Sequence, residues 1–247
     1  MQTVVDGTLT NYEILNSQSK NTLLILHGWA QNSSFWIDTA KLIDSSFRII
    51  LLDLPGFGGT QNLQNESDVP EYSQFVKKFI NKLSLKKFIL AGHSFGGQVA
   101  GDFAIKYPED ITKLILIDAA IIRIRGPKTW IKIGITKIIK PLLSFLPTES
   151  VNSILKLYAG DYAKANAYQK SVLHHILKYN LQFKLHSIKV PTDIIWGSED
   201  KLIPYVGKYL VENIPQAKLH VIYGAGHLLH LTHTKKLANT INEVILE

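Results

Sequence analysis

Lys87-Phe88-Ile89-Leu90-Ala91-Gly92-His93-Ser94-Phe95-Gly96-Gly97-Gln98-Val99 decides how the rest of the chain is read. An apolar run over residues 88–91 stops at Gly92, Ser94 follows two residues later, and Gly96-Gly97 opens a segment with helical spacing. The pattern Gly92-x-Ser94-x-Gly96 therefore falls at a strand–turn–helix junction. A serine on so sharp a turn stands clear of the sheet, and side chains at Gly92 or Gly96 would crowd that turn. The five residues alone also describe an ordinary glycine-rich turn. The strand before them and the helix after them favour the exposed serine.

Working outward, short apolar runs alternate with helical patterns. Residues 3–15 read as a hairpin turning at Asp6-Gly7. Residues 22–26 and 48–52 are buried strands, and residues 35–44 have helical spacing. Tyr72, Phe75, Val76, Phe79, Ile80 and Leu83 recur at three- and four-residue steps, which predicts an amphipathic helix. Beyond Ser94, a helix runs to about Tyr107 and stops at Pro108. Strands follow at 113–118, 192–196 and 219–222, and helices at 204–213 and 233–246. Uninterrupted apolar strands separated by helices imply an α/β fold. Its central sheet is mostly parallel with helices on both faces, and the opening hairpin adds an antiparallel edge.

The alternation breaks once. Residues 121–187 contain no convincing strand and read as helices at 130–143, 149–158 and 162–179. A stretch this long is not a plain loop. The expected organisation is a core domain of residues 1–120 and 188–247, interrupted by a helical lid over 121–187.

With 247 residues, 46% hydrophobic and 19% charged, the chain can bury a large core and is not a disordered one. No apolar run reaches the ~18–20 residues of a membrane span, and no basic-then-apolar signal opens the chain. The absence of cysteine rules out disulfides, a thiol nucleophile and thiolate metal sites. Together these features lead one to expect a cytoplasmic protein.

A serine is a weak nucleophile without a base in hydrogen-bond reach and a carboxylate to hold that base. Such partners are sought where strands end. The strand at 192–196 exits into Gly197-Ser198-Glu199-Asp200, and the strand at 219–222 exits into Tyr223-Gly224-Ala225-Gly226-His227. Ser94, Asp200 and His227 thus form a candidate triad in the chain order Ser…Asp…His. Glu199 and Asp118 are rivals for the carboxylate. His227 is chosen among nine histidines. An oxyanion hole needs two backbone N–H groups. Phe95, at a helix N-terminus, and Trp29, in the loop His27-Gly28-Trp29-Ala30, are the candidates. The side chains of Trp29, Phe95 and Trp130 are candidates for the substrate pocket. His27 and the run Asp53-Leu54-Pro55-Gly56-Phe57-Gly58-Gly59 read as structural turns. The chemistry calls for no cofactor and no metal.

These motifs fall in the order found in the α/β-hydrolase superfamily, which the chain resembles over nearly its whole length. The Leu26-His27-Gly28-Trp29 and Asp53-Leu54-Pro55-Gly56-Phe57-Gly58 loops are also similar to those of pimeloyl-acyl-carrier-protein methyl ester esterases. The resemblance implies a carboxylesterase-like enzyme that cleaves an ester or thioester through an acyl-enzyme on Ser94. Within the superfamily, epoxide hydrolases and haloalkane dehalogenases need Asp at the elbow. Hydroxynitrile lyases, cofactor-free haloperoxidases and C–C bond hydrolases keep the serine. An acyltransferase using the same intermediate, or a ligand sensor with a slow triad, is an alternative.

The formal net charge is +7, and residues 121–187 hold 11 Lys+Arg against 2 Asp+Glu, which leaves 16 against 18 elsewhere. Arg123, Arg125, Lys128 and Lys132 open this basic stretch. Three readings compete: a solvated helical face, steering of an acidic ester or acidic carrier protein, and docking on an anionic membrane surface. Nucleic acid is not an expected partner, because no recognised module is present.

Overall fold

The computed structural model describes residues 1–64, 67–122 and 161–247. Strands β1 (Gln2–Val5) and β2 (Thr8–Leu15) form the expected hairpin. Asp6 and Gly7 both adopt positive φ, 49° and 78°, which matches the right-handed twist of the flanking strands. Six further strands follow: β3 (Asn21–Leu26), β4 (Phe47–Leu52), β5 (Phe88–His93), β6 (Ile111–Ile117), β7 (Thr192–Gly197) and β8 (Ala217–Ile222). The sheet order is β1-β2-β4-β3-β5-β6-β7-β8. β2 pairs antiparallel with β4, and every pairing from β4 to β8 is parallel. The C-terminal ends of β3 to β8 therefore share one edge.

Both faces of the sheet are covered. Leu24, Leu26, Ile50 and Leu52 join a core with α2 (Val69–Lys82), α3 (Phe95–Lys106), α4 (Ala167–Lys178) and α5 (Gly207–Asn213). Leu23, Ile25, Ile49 and Leu51 join a second core with α1 (Ile37–Ala40), α6 (Leu229–Thr232) and α7 (Thr234–Leu246). Consecutive residues of one strand face opposite cores, which is why these strands carry no polar alternation.

Caps shift several helix boundaries. The helix expected over 35–44 is a 3₁₀ turn, Ser33–Trp36, followed by the single turn of α1. Asn32 pulls its start upstream by accepting a 2.9 Å bond from the Ser34 N–H. The helix expected over 162–179 is broken, with a helical turn at 161–164 and α4 after it. Asn166 has extended backbone. Its side chain accepts from Gln169 N (2.9 Å), and the Gln169 side chain accepts from Asn166 N (3.2 Å). This capping box starts a new helix inside a continuous helical pattern. The helix expected from 204 begins at Gly207, after the non-helical residue Val206.

The helices expected at 130–143 and 149–158 lie outside the described residues. What is described of the 121–187 stretch packs with the core: Ala165, Val172, Ile176, Leu181 and Leu185 belong to the same cluster as α2 and α3. The Leu181 N–H donates to Ile121 O at 3.1 Å, so the stretch leaves and returns at one point. Among the described residues no helix is long and apolar enough to cross a membrane.

Candidate active site

Ser94 sits alone between β5 and α3, with φ 52° and ψ −112°. This is a sparsely populated conformation for a residue with a side chain, and the surroundings hold it. Its N–H donates to Ile117 O (3.0 Å), and its carbonyl accepts from Ala120 N (3.1 Å). A Cβ on Gly92 would lie 2.3 Å from Gly96 O, and one on Gly96 would lie 2.3 Å from Leu26 O. Those two glycines let α3 start directly against β5 and β3. Phe95 is the first residue of α3, so its N–H has no acceptor within the helix.

Two loops on the same edge bring the partners. The ring of His227, after β8, places Nε2 3.0 Å from Ser94 Oγ and Nδ1 2.8 Å from Asp200 Oδ2. The Asp200 carboxylate can only accept, so Nδ1 carries the proton and Nε2 faces the serine hydroxyl with its lone pair. Asp200 is itself held: its Oδ1 accepts from Leu202 N (2.7 Å) and Ile203 N (3.0 Å). Ser94 and His227 are 6% and 8% exposed, which keeps bulk water from competing for these bonds.

The rival acids are placed differently. The Glu199 N–H donates to Ala225 O, which ties down the turn ahead of Asp200. Asp118 is fully buried at the end of β6, and its Oδ1 accepts from Gly197 N at 2.8 Å. Among the described residues its Oδ2 has no hydrogen-bond partner. Burial, and then the nearby Asp200 charge, push its carboxyl up to about 9, so Asp118 is neutral at pH 7. One of its oxygens, a ring nitrogen of His93 and a ring nitrogen of His227 lie within 4.8 Å of one another.

The turns before the site are cross-tied. His27 Nδ1–H donates to Gly28 O (2.7 Å), and His27 Nε2 accepts from Leu54 N (2.9 Å). Burial lowers its pKa, which suits this neutral tautomer. The Asp53 carboxylate accepts from Ser33 N (2.6 Å), Gly59 N (2.8 Å) and the Asn11 side chain (2.8 Å). Burial alone would push Asp53 up, but these bonds outweigh it and hold the carboxyl below its ordinary value. The Trp29 loop closes through Gln31 N→Gly28 O (3.2 Å) and Gly28 N→Gln31 Oε1 (3.3 Å). The Trp29 indole N–H donates to Gln169 O on α4 at 3.0 Å.

A cavity of about 240 Å³ opens over Ser94 and His227. Trp29, Phe35, Leu202 and Leu228 supply apolar walls, and Gln31 and Asp161 supply polar ones. Of the three side chains expected to line a pocket, Trp29 does so. The Phe95 ring turns the other way and packs against Tyr72 (5.0 Å) and Phe57 (6.2 Å) in the core. The helix start that aims the Phe95 N–H outward points its side chain down. Trp130, Arg123, Arg125, Lys128 and Lys132 lie outside the described residues. Phe35, Leu202 and Leu228 were not legible as pocket residues. Their only sequence signal is position, each following closely on a strand-end motif.

The α/β hydrolase fold profile matches residues 21–136 and 140–234 of the chain. A monoacylglycerol lipase from Homo sapiens is 28% identical over 255 residues, covering 90% of this chain and 74% of that protein. A 2-hydroxy-6-oxononadienedioate/2-hydroxy-6-oxononatrienedioate hydrolase from Paraburkholderia phymatum is 26% identical, with coverage of 92% and 86%. Among solved structures, a membrane phospholipase A described as a bacterial virulence factor superposes with a TM-score of 0.82 at 23% identity, covering 99% of this chain and 84% of that one. An esterase from Exiguobacterium antarcticum superposes with a TM-score of 0.79 at 22% identity over the full length of both chains. With the parallel sheet, the serine turn and the matched profile in agreement, the chain belongs to the α/β hydrolase fold family.

Proposed function

We propose that the protein hydrolyses a carboxylic ester or thioester, with Ser94 as nucleophile, His227 as general base and acid, and Asp200 as the group that orients His227. The observation that carries this reading is the continuous chain Ser94 Oγ–His227–Asp200, at 3.0 and 2.8 Å, on the floor of a cavity that can admit an acyl group. Ser94 Oγ attacks the acyl carbon while His227 Nε2 takes its proton. The resulting imidazolium is stabilised by the Asp200 carboxylate. His227 then delivers the proton to the leaving alcohol or thiol. Water, deprotonated by His227, attacks the acyl-enzyme and releases the acid and free Ser94. The tetrahedral oxygen is received by the N–H groups of Phe95 and Trp29, with Phe95 aided by the positive end of α3. The apolar walls at Trp29, Phe35, Leu202 and Leu228 favour an uncharged acyl chain next to the serine.

The test is Ser94→Ala assayed with p-nitrophenyl acetate and a fluorophosphonate probe. Loss of both hydrolysis and labelling is expected. Retained labelling in that variant overturns the assignment. A second reading, hydrolysis of a C–C bond, is favoured by the similarity to the oxononadienedioate hydrolase. Turnover of 2-hydroxy-6-oxononadienedioate, with p-nitrophenyl esters left essentially untouched, would select it.

A further inference from the structure

His93 is the first of the two unspecified residues in Gly92-x-Ser94-x-Gly96, yet its side chain touches three parts of the site. It ends β5 and immediately precedes Ser94. Its Nε2 lies 2.9 Å from the backbone oxygen of His227. A carbonyl only accepts, so Nε2 carries the proton. Burial, followed by the neighbouring His230 and His227, holds the ring well below its ordinary pKa. The imidazole is therefore neutral and its Nδ1 is bare. Among the described residues Nδ1 has no hydrogen-bond partner, and it stands 3.0 Å from the place a Cβ on Gly28 would occupy. The ring thus fills the gap between the elbow and the loop that carries Trp29.

The ring is also backed from behind. Its centroid lies 4.8 Å from that of His227, 4.7 Å from that of His230 and 5.9 Å from that of Trp36. His230 stacks on Trp36 at 4.7 Å and 4°. All three supporting rings are buried, so His93 has no other position to adopt.

Ser94 and His227 come from segments 133 residues apart. His227 stands on a loop, and loops are the least fixed parts of a fold. We infer that His93 is a positioning residue: its Nε2–H bond to the His227 carbonyl sets the Ser94–His227 separation, while its ring sets the spacing between the elbow and the Gly28-Trp29 loop. This deepens the hydrolase reading and rests on it. In-line proton transfer between Oγ and Nε2 tolerates little error, and misplacement by about 1 Å costs about a hundredfold in rate.

A residue that only packs would be replaced well by phenylalanine, which fills similar space without a donor. Glutamine keeps an N–H donor at similar reach without the ring. The experiment compares His93→Phe, His93→Gln and Ser94→Ala for kcat and KM on p-nitrophenyl acetate and for melting temperature. The expected result is a folded His93→Phe with KM within about threefold of the parent and kcat lowered roughly 30- to 100-fold. His93→Gln should recover at least fivefold of that loss. A folded His93→Phe with kcat within tenfold of the parent, or a His93→Gln no faster than it, overturns the inference. If His93→Phe does not fold, His93→Gln decides: kcat within tenfold of the parent supports positioning, and a larger loss overturns it. Failure of both to fold assigns His93 to packing and also overturns it. Ser94→Ala separates the two levels. If it still turns over ester, the Ser94 reading has failed and the His93 inference with it. If it is inert while His93→Phe is fully active, only the His93 inference has failed.

Discussion

Two carboxyl groups reach the edge of the sheet beside His227, and they are held in different surroundings. Asp200 accepts two backbone N–H bonds and faces the imidazole, whereas Asp118 accepts one and is fully buried. Asp200→Asn should leave the fold intact and lower kcat by about 10³–10⁴-fold, because an amide favours the wrong tautomer of His227. Steady-state kinetics on a neutral ester checks this, and a loss below tenfold would transfer the role elsewhere. Asp118 makes a stability prediction instead. Its pKa of about 9 in the fold stands above an unfolded value of about 3.9. The fold holds the proton more tightly, so this group's contribution to stability is fully present below about pH 4 and is lost as pH rises towards 9. Asp118→Asn keeps the acceptor for Gly197 N–H and suits the positive φ of 39°. It should therefore raise the melting temperature at pH 7–8 and flatten its pH dependence. An unchanged slope between pH 4 and 9 would refute the protonated state. In sequence, Asp118 and Asp200 look alike, since both follow an apolar strand. The choice between them needs loop geometry, which is set by backbone N–H groups that no residue code names. His93 was hidden for the same reason, since its partner is a carbonyl.

The elements that build the rim are tied by side chains in turns. Asp53 joins β2, the Ser33 turn and the Gly59 turn through three charge-assisted bonds. Asp53→Ala should cost about 2–4 kcal/mol in urea unfolding, since one buried donor (Ser33 N–H) and two part-buried ones lose their acceptor. Fluorophosphonate labelling of the folded fraction should persist, and loss of labelling without loss of stability would assign Asp53 to the chemistry. The native carboxyl is held below its ordinary value, so its stabilisation is present at neutral pH and is lost as pH falls through that lowered value. The variant should accordingly show a shallower acid limb. Gly96→Ala has a harsher outcome, because a methyl 2.3 Å from Leu26 O has backbone, not a flexible side chain, to displace. A cost above about 3 kcal/mol is expected, read by chemical denaturation. At this scale the strands were legible to within two residues, because burial on both faces writes an apolar run. Some helix starts were less so, because Asn32 and the Asn166–Gln169 box act through single hydrogen bonds that hydrophobic spacing does not record.

Across the whole molecule, the parallel order from β4 to β8 gathers residues 94, 200 and 227 on one edge without any of them being neighbours in the chain. This arrangement was legible, since strand-end positions in a parallel sheet share an edge by construction. Substrate identity was not, because the cavity walls come from several loops and their packing leaves no period. The charge division carries a prediction at this scale: residues 121–187 hold a net +9 and the remainder −2. If the basic stretch draws anionic esters to the cavity, their kcat/KM should fall steeply between about 20 and 500 mM salt, while that of a neutral ester of equal length stays flat. Equal salt dependence for the two esters would remove electrostatic attraction as a function of that stretch.

The single bond from Leu181 N–H to Ile121 O, at 3.1 Å, has an evolutionary meaning. It makes the intervening sequence a cassette clasped at its base. Chain inserted between Ile122 and Asp161 changes the closure cost only with the logarithm of its length, whereas α4, whose Gln169 carbonyl accepts from the Trp29 indole, cannot be exchanged without rebuilding the edge beside Ser94. The edge that carries Ser94, Asp200 and His227 stays in place while that length changes, so a lineage can alter one segment and inherit the edge.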